Sequence, residues 1–323
     1  MKRRVSDRTG EATPPAQILS AGPELQTRRA AWQWGEAQLR ARGIAPAEAR
    51  LEAEVLLRHA AALSREEVLV RPEVPLGSSA AAAYAGLIAQ RAAGRPTAYL
   101  VGYREFFGLD LCVDERVLIP RPETERLVEV VRDALREHPG PLIVDLGTGS
   151  GAVAIALART LPRARLVATD SSAGALEVAC LNAARCGLGG RIEWAEGSGL
   201  APLAGKGFEE TVDAVVSNPP YIPTAEIARL PEEVRNHEPP EALDGGPDGL
   251  AVHRMLVADA PRYLRPGGWL AVEVAATGNQ AEAVAALIAA AGRYTSPVIV
   301  RDFAGAERVV IAAKRGDDAG HRC

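Results

Sequence analysis

The sequence has little that would mark a secreted, membrane-bound or metal-holding protein. It opens Met1-Lys-Arg-Arg-Val-Ser-Asp-Arg with no apolar segment behind the basic residues, and no run approaches the ~18 apolar residues of a spanning helix. A cytoplasmic protein that does not engage a membrane is expected. Cysteine is scarce, and Cys112, Cys180, Cys186 and Cys323 have neither metal-ligand nor redox spacing, while the five histidines are scattered. Reduced thiols and no metal follow. Positive charge is not in excess either: 37 Lys and Arg stand against 41 Asp and Glu, a net charge of −4. That balance is wrong for a protein that tracks duplexes by displacing phosphate counterions, although it leaves room for a local basic patch. Aromatics are only 4% of the chain, so few side chains are available to stack on bases.

What is present is length enough for two domains, since 323 residues lie at the edge of what one core supports. Residues 1–23 are polar and rich in Pro and Gly, and read as a disordered tail. Over residues 24–96 the pattern is that of a small N-terminal helical bundle of four or five helices. Pro46 suits a first helical position, Leu51, Val55 and Leu56 recur at helical spacing, and Ser64-Arg-Glu-Glu67 is a capping box. Ser78 or Ser79 is expected to cap a later helix ending at Gly94. This domain carries no catalytic constellation; packing module and docking surface for a macromolecule both remain open for it.

Residues 97–120 change period. Phe107, Leu109, Leu111 and Val113 alternate with polar or small residues, which predicts a strand in a linking β-hairpin with residues near Ala98 to Val101. Leu118-Ile-Pro-Arg-Pro-Glu-Thr-Glu125 then turns into a helix bearing Leu127, Val130, Val131 and Leu135, with acids in its first turn where the helix dipole favours them. Over residues 121–315 strands and helices alternate, including strands at Leu142–Asp145, Arg165–Thr169, Arg191–Ala195, Val212–Ser217 and Trp269–Val274, with a turn at Pro266-Gly-Gly268. The expected fold is α/β, a mostly parallel Rossmann-like sheet covered on both faces, followed by a short tail over 316–323. Ligands of such sheets bind beyond the carboxyl ends of the strands.

Two stretches lie at such ends. In Asp145-Leu-Gly-Thr-Gly-Ser-Gly151 the glycines permit close approach of a ligand, and Asp170, 23 residues after Gly147, can accept from ribose hydroxyls. Read as Gly147-x-Gly149-x-x-Ala152, the same loop also fits a dinucleotide fingerprint, which keeps a nicotinamide-dependent dehydrogenase in play. Asn218-Pro-Pro-Tyr221 follows the largely apolar run Val212-Asp-Ala-Val-Val-Ser217, which reads as a buried strand. Two prolines stiffen the backbone and cannot pair onward, so their carbonyls remain acceptors. If the Asn218 side-chain oxygen and the Pro219 carbonyl take the two hydrogens of a planar NH2, they orient its nitrogen, oppose its delocalisation and stabilise positive charge during attack. An ordinary Asn-Pro turn is the plainer alternative.

Together with Tyr103-Arg-Glu-Phe-Phe-Gly-Leu-Asp-Leu111, Arg121-Pro-Glu-Thr-Glu125 and Glu238-Pro-Pro-Glu-Ala-Leu-Asp-Gly-Gly246, these motifs give the chain, over about residues 24–314, a resemblance to a family. It resembles the class I S-adenosylmethionine-dependent methyltransferases that modify the side-chain amide of the glutamine in the Gly-Gly-Gln tripeptide of peptide chain release factors. The resemblance implies a seven-stranded sheet, S-adenosylmethionine as cofactor on Gly147, Thr148, Gly149, Ser150, Gly151, Asp170 and Asn218, and release factors as protein substrates. It implies that Asn218, Pro219, Pro220 and Tyr221 hold the glutamine, with Asn218, Pro219 and Tyr221 in the catalytic role, and that the loop Arg121–Glu125 lines the methionine end. No stable nucleic-acid binding is expected.

This sequence departs from the family pattern at two places. Ser198 and Gly199 stand where an acidic and a large apolar residue are usual, which implies weaker adenine contact with Glu196 as a substitute, and Glu273-Val-Ala-Ala276 replaces a segment containing Ile-Gly. Methylation of an exocyclic amino group on a nucleic-acid base poses the same chemical problem and is the nearest rival, though it requires a grip on an extruded base. A noncatalytic cofactor-binding protein is a third reading, made plausible by Ser198 and Gly199.

Overall fold

The structure is a computed structural model that describes residues 25–316, so the tail expected over 1–23 and, apart from residue 316, the tail expected over 316–323 lie outside the described residues. The chain divides into two compact units between Leu100 and Val101.

The first unit is helical: α1 (Arg28–Ala41), α2 (Pro46–Ala61), α3 (Arg65–Val70), α4 (Ser78–Ala92) and α5 (Thr97–Val101), the last of which crosses the division. Pro46 occupies the first turn of α2. The capping box is formed: Ser64 Oγ accepts from the Glu67 amide at 3.1 Å and the Glu67 carboxylate from the Ser64 amide at 2.9 Å. The expected serine cap of α4 is not formed, because the helix already begins at Ser78 and Gly77 takes the capping position without a side-chain bond. Leu39, Leu56, Leu57, Tyr84 and Ile88 are fully buried in this bundle. Each such aliphatic side chain stabilises the fold by roughly 1.5–3 kcal/mol.

The second unit begins with a two-stranded antiparallel hairpin, β1 (Tyr103–Phe106) and β2 (Leu109–Cys112). The expected pairing with Ala98–Val101 is therefore corrected: those residues lie in α5. Phe107, which fits the alternation, is instead in the turn, where Phe107 and Gly108 both take positive φ, +53° and +72°. A two-residue turn of that hand matches the twist of the strands it joins, and the Phe107 amide is anchored to Glu125 Oε1 at 2.8 Å.

After α6 (Glu125–Leu135) come β3 (Leu142–Leu146), α7 (Ala152–Thr160), β4 (Arg165–Asp170), α8 (Ala173–Arg185), β5 (Ile192–Glu196), β6 (Val212–Ser217), α9 (Glu232–His237), α10 (Ala251–Tyr263), β7 (Leu264–Glu273), α11 (Gln280–Ala290), β8 (Val298–Arg301) and β9 (Glu307–Ala313). They build a seven-stranded sheet in the order β5-β4-β3-β6-β7-β9-β8. The first five of these are mutually parallel and β9 runs antiparallel to both its neighbours. All six residues of β6 are buried, as a central strand covered on both faces requires. Ile143, Ala214 and Val216 pack with α6 and α7 on one face, and Val144, Leu146 and Val215 with α10 and α11 on the other. The turn expected at Pro266-Gly-Gly268 is a bulge inside β7, where the register against β6 shifts between Val212 and Ala214. Because the strand order reverses between β3 and β6, their carboxyl ends diverge and leave a crevice.

Among the described residues no helix is long and apolar enough to cross a membrane, and no cluster of His, Cys, Asp or Glu could hold a metal ion.

Candidate functional site

The glycine turn after β3 is folded back onto β4 by two amides, since Gly147 and Thr148 both donate to the Thr169 carbonyl, at 2.8 and 3.0 Å. Beneath it Asp145 is buried, accepting from the Thr148 hydroxyl at 2.7 Å and the Ala154 amide at 3.2 Å. Burial pushes its carboxyl up to about 7, against the pull of those two hydrogen bonds, and the charge of Asp170 adds to the rise. At the end of β4, Asp170 is pinned through both oxygens: one accepts from the Gly149 amide and the other from the Ser172 amide, each at 2.9 Å. The pinned carboxylate keeps a lone pair on each oxygen for a further hydroxyl.

The third element of the site is Asn218 at the end of β6. Its Nδ2 donates to Thr124 Oγ1 at 3.1 Å, which turns its Oδ1 the other way. Among the described residues the carbonyls of Pro219 and Pro220 accept no hydrogen bond, so the acceptors left open by two prolines are free as the sequence implies. The loop is held from behind by Leu243–Gly249. Ile222 donates to the Leu243 carbonyl at 3.1 Å, Gly245 to the Ile222 carbonyl at 2.8 Å, and Thr224 to the Gly246 carbonyl at 2.9 Å. A Cβ on Gly249 would lie 2.4 Å from the Tyr221 carbonyl oxygen, so only glycine permits this backbone approach. Gln280 closes the arrangement by donating to the carbonyls of Tyr221 and Gly249 at 3.0 and 3.2 Å. Glu238 ties the loop before α6 to the same strap, pairing with Arg121 at 2.5 Å and accepting from the Ile119 amide at 3.1 Å.

Asn218 stands where three concavities meet. A cleft of about 220 Å³ runs past Gly147, Gly149, Asp170, Ser198, Gly199, Asn218 and Pro220. A smaller one of about 50 Å³ is lined by Arg121, Thr124, Asp145, Thr148, Ser150 and Asn218. The third, about 200 Å³, is lined by Leu118, Arg121, Asn218, Pro219, Tyr221 and Leu243 among others. Of the glycine loop, Gly151 lines none of the three. Its absent side chain serves packing, because a Cβ there would sit 3.0 Å from Ile155 and 3.1 Å from Ala179. Tyr221 also borders a fourth cavity with Ile222, Asp248 and Gln280, and its hydroxyl is pushed up to about 12, chiefly by burial and then by the Glu273 carboxylate.

The departure at Ser198 and Gly199 has a structural answer. The Met255 sulfur and methyl lie 3.1 and 3.2 Å from where a Cβ on Gly199 would be. Met255 and Val252, both on α10, line the cleft beside Gly199 and Asp170, whereas Glu196 is exposed and does not line it. No local sequence signal joins positions 199 and 255. The contact of Thr124 with Asn218 was likewise hidden. Thr124 is buried and bonded to Asn218, and Glu273, at the end of β7, is 1% exposed. Burial pushes the Glu273 carboxyl up to about 7, against the opposing pull of Thr124 and of the Arg308 charge.

The family described as PrmC N-terminal domain matches residues 30–102, and that described as Methyltransferase small domain matches residues 124–230. The release factor glutamine methyltransferase of Moorella thermoacetica is 48% identical over 266 residues, covering 82% of this chain and 92% of the relative. The protein of the same name from Geobacter sulfurreducens is 43% identical over 293 residues, covering 90% and 98%. Among solved structures, the hMettl16 catalytic domain in complex with MAT2A 3'UTR hairpin 6 has a TM-score of 0.52 at 19% identity, covering 72% of this chain and 83% of that one. At that identity the likeness is one of fold.

Proposed function

The chain belongs to the release factor glutamine methyltransferase family, and on that premise we propose how it methylates the glutamine of peptide chain release factors. The methyl donor is S-adenosylmethionine, the acceptor is the side-chain amide nitrogen of the glutamine in a Gly-Gly-Gln segment, and donor and acceptor meet at Asn218. The observation that carries this reading is that junction: Asn218 alone with Leu118 lines all three concavities.

The residues present fit such a donor. A Cβ at Gly147 or Gly149 would meet nothing within 4 Å, so the loop leaves open space along the cleft. Asp170 offers a fixed carboxylate to the ribose hydroxyls, Met255 and Val252 offer apolar contact to the adenine, and Asp145 with Thr148 and Ser150 borders the cavity suited to the methionine end. When bound, the sulfonium supplies an electrophilic methyl group. Everything else is the work of this chain. The third concavity admits an uncharged side chain past Leu118, Tyr221 and Leu243. Asn218 Oδ1 and the Pro219 carbonyl accept the two amide hydrogens, hold the nitrogen in line with the methyl, and oppose delocalisation into its own carbonyl. As the nitrogen is alkylated it becomes acidic, and its proton passes to solvent or to the accepting carbonyl. Tyr221, with its hydroxyl pushed up to about 12, stays neutral and packs against the glutamine.

The reaction belongs in the cytoplasm, where release factors act, and needs neither a membrane nor stable nucleic-acid binding. To test the reading, the protein is incubated with methyl-labelled S-adenosylmethionine and either purified release factor or total RNA. Label is expected in release factor, and label in RNA but never in release factor would overturn it.

A further inference from the structure

The donor and acceptor sides of the site share one wall, Leu118–Arg121. Leu118 lines all three concavities and Arg121 lines two of them, yet these four residues belong to no helix or strand. Pro120, and Pro122 just beyond it, have no N–H with which to tie the segment to the sheet. The opposite wall is Pro239–Leu243. Pro239, Glu241 and Ala242 line the cleft beside Asp170, and Ala242 and Leu243 line the third concavity. That wall is fixed to the clamp, because the Leu243 carbonyl accepts from the Ile222 amide at 3.1 Å, one residue past Tyr221.

A single side chain spans the two walls. Glu238, next to Pro239, is 4% exposed and lines none of the three concavities. One of its oxygens pairs with Arg121 Nη2 at 2.5 Å, and the other accepts from the Ile119 amide at 3.1 Å. Its backbone is held as well, since its amide donates to the Val234 carbonyl at 3.0 Å and closes the end of α9. A carboxylate withdrawn this far from water must recover its hydration from partners, and both of these partners stand on the facing wall. We propose that Glu238 is a positioning residue: it latches Leu118–Arg121 to the strap before any ligand arrives, and so presets the shape of the donor and acceptor sides together. A segment that is already ordered costs neither ligand anything to order. Once released, it must be ordered by whichever ligand binds first, and the second ligand then binds more tightly for it. The latch therefore keeps the two ligands independent at this wall, and its loss makes them cooperative. Glu238 touches neither of them. The inference rests on the reading of the third concavity as the entry of the glutamine.

The experiment is calorimetry on the full chain with S-adenosylhomocysteine and purified release factor, each titrated alone and in the presence of the other. Glu238→Ala should weaken the binding of either ligand alone by about tenfold, the cost of ordering a short segment. The factor by which one ligand tightens the other should be about tenfold larger in the variant than in the parent, and equal in both directions, as linkage requires. Partial unfolding of the variant would lower the number of binding sites and leave that factor unchanged. Glu238→Gln keeps an acceptor for the Ile119 amide and loses the charge that faces Arg121, so it should show smaller changes of the same sign. Coupling in Glu238→Ala no larger than in the parent, or affinity for S-adenosylhomocysteine alone equal to the parent's, would overturn the latch. Should Glu238→Ala fail to fold, Glu238→Gln decides, and coupling there equal to the parent's would overturn it as well. A parent that binds S-adenosylhomocysteine but no release factor would instead remove the glutamine-entry reading, and the latch is then judged by the affinity for S-adenosylhomocysteine alone.

Discussion

Asp213 and Glu273 are both buried carboxylates on adjacent central strands, at opposite ends of the sheet. Asp213, near the start of β6, is fully partnered: it accepts from the Leu142 amide at 2.7 Å, pairs with Arg265, and lies 3.1 Å from His138 Nε2. Glu273, at the end of β7, makes no comparable set of bonds, and its Oε2 has no hydrogen-bond partner among the described residues. The first arrangement spends a charge on joining β3, β6 and β7 at the closed end of the sheet. The second tolerates a poorly satisfied charge at the open end, where Asp145 is also pushed up to about 7. Carboxylates satisfied by the fold anchor it, and those left short of partners cluster where ligands bind.

Variants can break this contrast or sharpen it. The largest effect is expected at the open end: Asn218→Ala should reduce kcat by about 10³-fold or more, about 4 kcal/mol of lost transition-state stabilisation, while calorimetric affinity for S-adenosylhomocysteine changes little. At the closed end Asp213→Ala should do the reverse. Denaturant unfolding should show a loss of about 3 kcal/mol, since Arg265 and the Leu142 amide are stranded, and kcat of the surviving folded enzyme should hold.

Glu273→Gln should expose the cost of the poorly satisfied charge at the open end. A carboxyl raised from 4.5 to about 7 contributes stability that is complete below the unfolded pKa and is lost as pH rises through about 7. A neutral glutamine does not suffer that loss. The variant should therefore gain stability relative to the parent between pH 4.5 and 7, by on the order of 3 kcal/mol at about 1.4 kcal/mol for each pH unit. Urea unfolding of parent and variant across that range checks the sign; a difference that shrinks with pH would mean the carboxylate is better satisfied than its contacts indicate. The smallest effect is expected at Met255→Ala, where loss of a half-buried thioether beside Gly199 should weaken S-adenosylhomocysteine binding about fivefold, read by calorimetry.

The same contrast explains what was legible in the sequence. The strand pattern, the glycine turn, Asp170 and Asn218 carry their meaning in short segments, because a buried parallel strand and the residues at its end are contiguous. The hairpin was misjudged by one turn because Phe107 continues an alternation that the backbone had already left. Contacts that support the site join residues far apart: Thr124 with Asn218, Gly199 with Met255, Gly249 with Tyr221. Nothing in the local pattern of either partner announces the other. The strap over Leu243–Gly249 was visible as a motif, but its purpose, backbone packed on backbone behind the loop, emerged only from the fold.

The claim on which the rest depends is that Asn218 holds a glutamine amide against the methyl donor. Tandem mass spectrometry of release factor after incubation with S-adenosylmethionine tests it most directly, with the parent and Asn218→Ala compared at equal donor occupancy. One added methyl on the side-chain nitrogen of a single glutamine with the parent, and none with the variant, is the expected result. Methylation of that glutamine by Asn218→Ala at a rate near the parent's would contradict the account.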